Sequence, residues 1–246
     1  MRFLITGGSR GIGAQIVSDV AAAGHDVAFT YFSGESAASL VLEGARRQAP
    51  GQQVEAYCLD VRLSEQVASV CDHILDDFGS MDVVVCNAGV SRVGLAALVS
   101  DDDWNDVLAT NLTGAFYVCR HFLQPFLAQG RGRFILISSV GMHGVSGQVA
   151  YSASKAGMMG LAQGLAKEYG PKGITANGLV LGLFDTALSR ENLSERGERF
   201  WLENCPARRK GKLSEASGAV LFLASETASF VNGQMLGVNG GLDWVF

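Results

Sequence analysis

Arg2-Phe3-Leu4-Ile5-Thr6 is a short apolar run that passes without interruption into Gly7-Gly8-Ser9-Arg10-Gly11-Ile12-Gly13. The residues after it place Ile16, Val17, Val20 and Ala21 at helical spacing. A strand that enters a helix through a glycine loop is the opening of a βαβ unit, and this constrains the chain more than any other feature. Glycine admits positive φ and close backbone approach, and the N–H groups and dipole of the new helix favour a pyrophosphate. The spacing G-x-x-x-G-x-G is a variant of the dinucleotide-binding fingerprint. Gly7, Ser9, Arg10, Gly11, Ile12 and Gly13 are therefore the first candidate cofactor contacts.

The same alternation continues to the end of the chain. Strands are expected at Asp26–Tyr31, Val54–Leu59, Met81–Cys86, Arg133–Ser139, Gly173–Val180 and Gly233–Val238. Helices are expected between them, one of them from Glu35 to Gln48 with Leu40, Val41 and Ala45 facing inward. Alternating strands and helices predict an α/β fold: a Rossmann-type doubly wound parallel sheet in three αβα layers. With 246 residues, 48% hydrophobic and 17% charged, and no linker or repeat, residues 1–246 read as one cofactor-binding domain. A polar stretch at about 187–212, punctuated by Trp201 and Pro206, reads as a mobile substrate flap.

A net charge of −5 argues against a nucleic-acid binder. Met1-Arg2 leaves no room for a signal core, and no apolar run approaches the roughly 20 residues that span a bilayer, so a soluble cytoplasmic protein with no membrane partner is expected. The five cysteines are scattered and lack C-x-x-C spacing, which suggests reduced structural thiols and no metal site.

The end of the second strand selects the cofactor. An acid there would bind the adenosine ribose of NAD and repel a 2′-phosphate, but the chain has Tyr31-Phe32-Ser33, so NADP(H) is expected. Arg10 or Ser33 can bind that phosphate, although Arg10 also reads as a solvated loop charge. Asp60, followed by Val61, stands where an adenine amine would be bound, or is a turn residue. Asn87-Ala88-Gly89 is small enough to admit a ribose, and Thr186, in the segment after the sixth strand, is a further candidate cofactor contact.

Tyr151 and Lys155 are one helical turn apart on one face. A phenol with a pKa of about 10 is a slow acid at neutral pH, and a neighbouring ammonium lowers that value. Such a pair suits proton exchange with a carbonyl-derived oxygen. Asn111, mid-helix, can order a water, and the hydroxyls ending the fifth strand can steady an oxyanion.

Taken together, Thr6–Gly13, Asn87-Ala88-Gly89, Asn111, Gly132–Ser139, Tyr151-Ser152-Ala153-Ser154-Lys155, Phe222–Ser225 and Gly240-Gly241 resemble the classical short-chain dehydrogenase/reductase family. Within it the chain looks most like the 3-oxoacyl-[acyl-carrier-protein] reductases. The resemblance implies a Ser-Tyr-Lys-Asn tetrad. Tyr151 is then the general acid, Ser139 orients the carbonyl, Lys155 holds the nicotinamide ribose and depresses the phenol's pKa, and Asn111 supports a water relay. It further implies an acyl substrate on acyl carrier protein, in fatty-acid or polyketide synthesis, and a homotetramer. Arg131, Arg133 or the basic cluster of Arg208, Arg209, Lys210 and Lys212 could meet the acidic carrier, although that cluster reads first as solvated charge. A sugar, steroid or small-ketone substrate and a non-catalytic NADP sensor are the alternatives.

Two departures from the family pattern stand out. Leu181-Gly182 replaces Pro-Gly, and the loop before Tyr151 is one residue short. Counting from the strand start makes Ser139 the catalytic serine, and counting back from Tyr151 makes it Ser138. Loops absorb deletions more readily than buried strands, which favours Ser139.

Overall fold

The computed structural model describes residues 1–242, the side chain of Asn192 excepted. Seven strands, β1 (Arg2–Ile5), β2 (Asp26–Tyr31), β3 (Val54–Cys58), β4 (Val83–Cys86), β5 (Gly132–Ser139), β6 (Ile174–Leu181) and β7 (Met235–Val238), form one sheet. Its order is β3-β2-β1-β4-β5-β6-β7 and every pairing is parallel. Strand order reverses between β1 and β4, and ligands of open α/β sheets bind at that switch, outside the carboxyl ends of the strands.

Helices cover both faces, which is why the central strands read as unbroken apolar runs. On one face α1 (Gly11–Ala22), α2 (Glu35–Gln48) and α9 (Leu213–Ala224) pack on Phe3, Ile5, Phe29, Ile135 and Leu179. On the other, α3 (Ser64–Phe78), α5 (Gly114–Gln129) and α6 (Val149–Tyr169) enclose Leu4, Phe122, Phe126, Phe134 and Met158. Each fully buried side chain of this size contributes about 1.5–3 kcal/mol. Leu181, where the pattern that the chain resembles has Pro, has a packing role: it is buried in the first cluster as the last residue of β6, paired with Ser139 of β5.

Three expectations change. Ala38 and Ala45 are the buried positions of α2, with Val41 partly buried, whereas Leu40 is 70% exposed. The short side chains let α2 lie close to the sheet, and that rotates Leu40 outward. The helix through Asn111 is not uniform: α4 (Asp101–Leu108) joins α5 through a π turn at Ala109–Thr113. The stretch at 187–212 contains α7 (Ala187–Asn192) and α8 (Glu195–Asn204), which Thr186 and Ser194 cap with their side chains. Trp201 of α8 packs on Val140, Val180 and Leu242, anchoring this polar segment to the sheet.

Candidate active site

The glycine loop lies over the switch between β1 and β4. Gly7 has φ +68°, and a Cβ there would come within 2.9 Å of the Ala88 Cα. A Cβ on Gly13 would collide with the Gly7 carbonyl and the Asn87 amide. Asn87 is the brace of this turn: its Nδ2 donates to the carbonyls of Thr6 (2.9 Å) and Gly7 (3.0 Å). The Asn87 and Ala88 N–H groups both donate to Thr6 Oγ1 at 3.0 Å.

Gly7, Ser9, Arg10, Gly11, Ile12, Gly13, Tyr31, Ser33, Asp60, Val61, Asn87, Ala88, Gly89 and Thr186 all line one crevice of about 360 Å³. The Arg10 carbonyl accepts the Ala14 N–H at 3.2 Å, but its guanidinium makes no hydrogen bond or ion pair among the described residues and is available at the crevice. Thr186 caps α7 with its hydroxyl while its methyl would touch a Cβ on Gly11 at 3.5 Å, which brings the segment after β6 onto the glycine loop. A backbone cradle that side chains would fill fits the phosphates and ribose of a nicotinamide dinucleotide.

Asp60 is less available than the sequence suggested. Its carboxylate takes Arg62 through both oxygens, with Nη2 at 2.7 Å, and this partner holds its pKa below the usual carboxylate value. Arg62 was not singled out from the sequence. It also binds Asp106 of α4 (2.7 Å) and covers the Phe32 ring at 5.1 Å, closing the crevice at that end.

Lys155, Ser139 and Tyr151 meet where β5 ends and α6 begins. Ser139 Oγ accepts the Gly141 N–H at 3.1 Å and faces the Tyr151 phenol. Gly141 packs closely against both, since a Cβ there would lie 3.1 Å from the Tyr151 ring and 3.4 Å from Ser139 Oγ, and one of them would have to give by a few tenths of an ångström. Ser138 instead is buried and donates to the Lys155 carbonyl at 2.9 Å. Lys155 is 4% exposed, its Nζ donating to the Ile137 carbonyl at 2.7 Å and lying 5.6 Å from the Tyr151 ring centre. Asn111 is fully buried in the π turn. Its amide clamps the Val90 backbone at 2.8 and 3.0 Å and donates to Ser154 Oγ at 3.0 Å. A Cβ on Gly89 would touch both Asn111 Oδ1 (3.3 Å) and Lys155 Nζ (3.6 Å), so Gly89 leaves the gap between tetrad and crevice open.

The electrostatics correct one expectation. Burial pushes the Tyr151 phenol above its ordinary pKa, and the Ser139 hydroxyl draws it only partly back. Lys155 is not among the causes; burial instead lowers its own pKa to about 8.

Ser139 and Tyr151 open on a second cavity of about 150 Å³, lined also by Ser91, Gln148, Leu183, Phe184 and Trp201. Ser91, Gln148 and Trp201 are site residues that the motifs did not reveal. The basic residues divide. Arg131 pairs with Asp82 and Arg133 with Glu226 at the start of β5, the opposite end of that strand from Ser139, so within one protomer neither reaches the cavity. Arg209 pairs with Glu215, and Lys210 with Glu198 and Asp185, so two of the four cations of that cluster, Arg208, Arg209, Lys210 and Lys212, are held in ion pairs. All five cysteines are free, and no cluster of metal-ligating side chains occurs among the described residues. Among those residues no helix is long and apolar enough to cross a membrane.

A doubly wound sheet with a glycine-loop crevice beside a Tyr–Lys pair defines a nicotinamide-dependent oxidoreductase. The family model described as enoyl-(acyl carrier protein) reductase matches residues 7–243. The 3-oxoacyl-[acyl-carrier-protein] reductase of Chlamydia trachomatis is 36% identical over 97% of this chain and 96% of its own length. That of Aquifex aeolicus is 37% identical over the same shares. The crystal structure of levodione reductase superposes with a TM-score of 0.95 at 27% identity, covering 98% of this chain and 97% of the other. The chain belongs to the short-chain dehydrogenase/reductase family and is an oxidoreductase of the ketoreductase kind.

Proposed function

We propose that the protein reduces the ketone of a 3-oxoacyl thioester, carried on acyl carrier protein, to the 3-hydroxyacyl product with NADPH. The observation that carries this reading is the convergence of the Ser139 hydroxyl and the Tyr151 phenol on one cavity, with the buried Lys155 Nζ 5.6 Å from the Tyr151 ring centre. The names of the curated relatives support the substrate class.

A reduced nicotinamide, when bound, supplies the hydride. The glycine loop and Asn87-Ala88-Gly89 hold its phosphates and ribose, Arg10 binds the 2′-phosphate, and Thr186 closes over the loop. Ser139 fixes the substrate oxygen, and Tyr151 gives that oxygen its proton. Lys155 keeps its charge at neutral pH, holds the nicotinamide ribose and, with Nζ 5.6 Å from the ring centre, steadies the negative charge that Tyr151 takes on only as it gives up its proton. Asn111 secures Val90 and so the floor of the site, and serves the proton's replacement from solvent. The segment at about 187–212, including α7 and α8, acts as the substrate flap. The protein works in the cytoplasm as a homotetramer.

The testing experiment follows NADPH oxidation with a short 3-oxoacyl thioester, beside a 2-enoyl thioester and a cyclic ketone. The enoyl substrate is included because the family model's description names that reaction. Selective turnover of the 3-oxoacyl thioester supports the proposal, and turnover of the enoyl thioester or cyclic ketone alone rejects it. In the same assay Arg10→Ala is expected to lower kcat/KM for NADPH about tenfold while NADH changes far less, the worth of one exposed charge-assisted hydrogen bond. Equal losses with both cofactors would remove Arg10 from the 2′-phosphate site.

A pH profile isolates Lys155. Its pKa near 8 means that the ammonium is present below that pH and lost above it. kcat/KM for NADPH, which reports groups of the free enzyme, is expected to turn down above about pH 8. In Lys155→Arg, whose guanidinium stays charged, that downward limb is expected to disappear. A limb unchanged in this variant would assign it to another group.

A further inference from the structure

Among the described residues two buried side-chain polar atoms lack a hydrogen-bond partner. One, Arg133 Nε, lies at the start of β5, away from the site. The other, Ser91 Oγ, belongs to a residue that lines both the cofactor crevice and the cavity of Ser139 and Tyr151. Buried hydroxyls are nearly always paired, so an orphan at the junction of two cavities marks a place that a ligand satisfies.

A second polar side chain shares that wall. Gln148 lines the same cavity, and its amide makes no hydrogen bond among the described residues. The backbone fixes the two segments together: the Gly94 N–H donates to the Gly147 carbonyl at 2.9 Å, and Gly94 forms a parallel bridge with Gln148. Other hydroxyls of the cavity are committed. Thr186 accepts from the Ser189 N–H, and Ser189 Oγ donates to the Phe184 carbonyl at 2.7 Å. Ser91 and Gln148 therefore stand with uncommitted donors beside the pair that receives the ketone.

We propose that Ser91 and Gln148 form a second carbonyl-binding site, which selects substrates bearing another oxygen acceptor close to the reacting ketone. The inference rests on the ketone-reductase reading and deepens it. In a cavity of about 150 Å³ that already holds the ketone, a second acceptor must lie within a few bonds of the first. A 1,3-dicarbonyl supplies one, with the reacting oxygen on Ser139 and Tyr151 and the thioester oxygen on the Ser91 hydroxyl and Gln148 amide. A monoketone leaves those donors buried and unpaired, the arrangement that discriminates most strongly against an analogue lacking the group.

The test measures calorimetric binding of two ligands to the protein saturated with NADP⁺. One is the N-acetylcysteamine thioester of acetoacetate, and the other is its analogue with the thioester carbonyl replaced by methylene. Wild type is expected to bind the thioester about tenfold more tightly, the effect of one good hydrogen bond. Ser91→Ala and Gln148→Leu are each expected to erode that ratio, and the double variant to bring it close to one. A thermal unfolding midpoint close to that of wild type verifies that the variants are folded. A wild type without preference, or a double variant that keeps it, overturns the proposal, and the latter is the result for a hydroxyl that serves only a water. If the preference is present but NADPH reduces no ketone, the reductase reading fails and the second carbonyl site stands. Turnover without any preference does the reverse.

Discussion

Replacing Tyr151 with phenylalanine is expected to lower kcat for ketone reduction by about 10²–10⁴-fold, the usual worth of a positioned general acid. The ring itself is retained, so packing against Gly141 and the 5.6 Å approach of Lys155 persist, and only the proton donor is removed. NADPH affinity is expected to fall far less than kcat, because the glycine loop and Arg10 lie elsewhere in the crevice. The loss is expected to be similar across the working pH range. Burial holds the phenol's pKa above its ordinary value, so in wild type Tyr151 stays protonated throughout the working range and is always ready to donate. Steady-state turnover with fluorescence titration of NADPH separates the two parameters. A kcat within threefold of wild type would mean that solvent or Ser139 delivers the proton.

That pair was legible because its signal is local. Tyr151 and Lys155 are four residues apart in a helix, and the strand–glycine loop–helix of residues 2–22 is likewise contiguous. The parallel, doubly wound order followed from alternation alone, since strands joined by helices have few other ways to pack. What escaped the sequence depends on partners distant along the chain. The π turn at Asn111 goes with bonds to Val90, 21 residues earlier, which no local propensity reports. Arg62 gains its role from Asp106, 44 residues on, and Phe32, 30 residues back. Ser91 is noticeable only because its hydroxyl lacks a partner. The helices α7 and α8 are a different failure. Their caps, Thr186 and Ser194, were visible, but the charged composition between them outweighed the capping signal.

Leu40 shows the limit of periodicity in the same way. Leu40, Val41 and Ala45 fit a helical face on paper, yet a helix that approaches a sheet through alanines can rotate a leucine out at little steric cost. Apolar spacing fixes that a face exists, and side-chain size decides which residues occupy its centre.

Ser139→Ala is expected to lower kcat/KM for the ketone by about 10²–10³-fold, the range for losing one donor to a developing oxyanion. Ser138→Ala is expected to leave most turnover in place and to cost stability instead, about 1 kcal/mol for its lost hydrogen bond to the Lys155 carbonyl. The two serines are adjacent on a strand, so their side chains point to opposite faces. Ser139 turns to the Tyr151 phenol, and Ser138 turns into the packing between β5 and α6. The Ser139 assignment puts the one-residue shortening in the loop from 140 to 148, which carries Gly141, Gly144 and Gly147, with φ of +100° at Gly144 and +79° at Gly147. A deletion within β5 would have reversed the facing of every residue after it, exposing part of a strand that is buried from Gly132 to Ser138. The paired kinetic and thermal measurements decide between the two serines: loss of turnover in Ser138→Ala with full activity in Ser139→Ala would place the shortening in the strand and overturn the assignment.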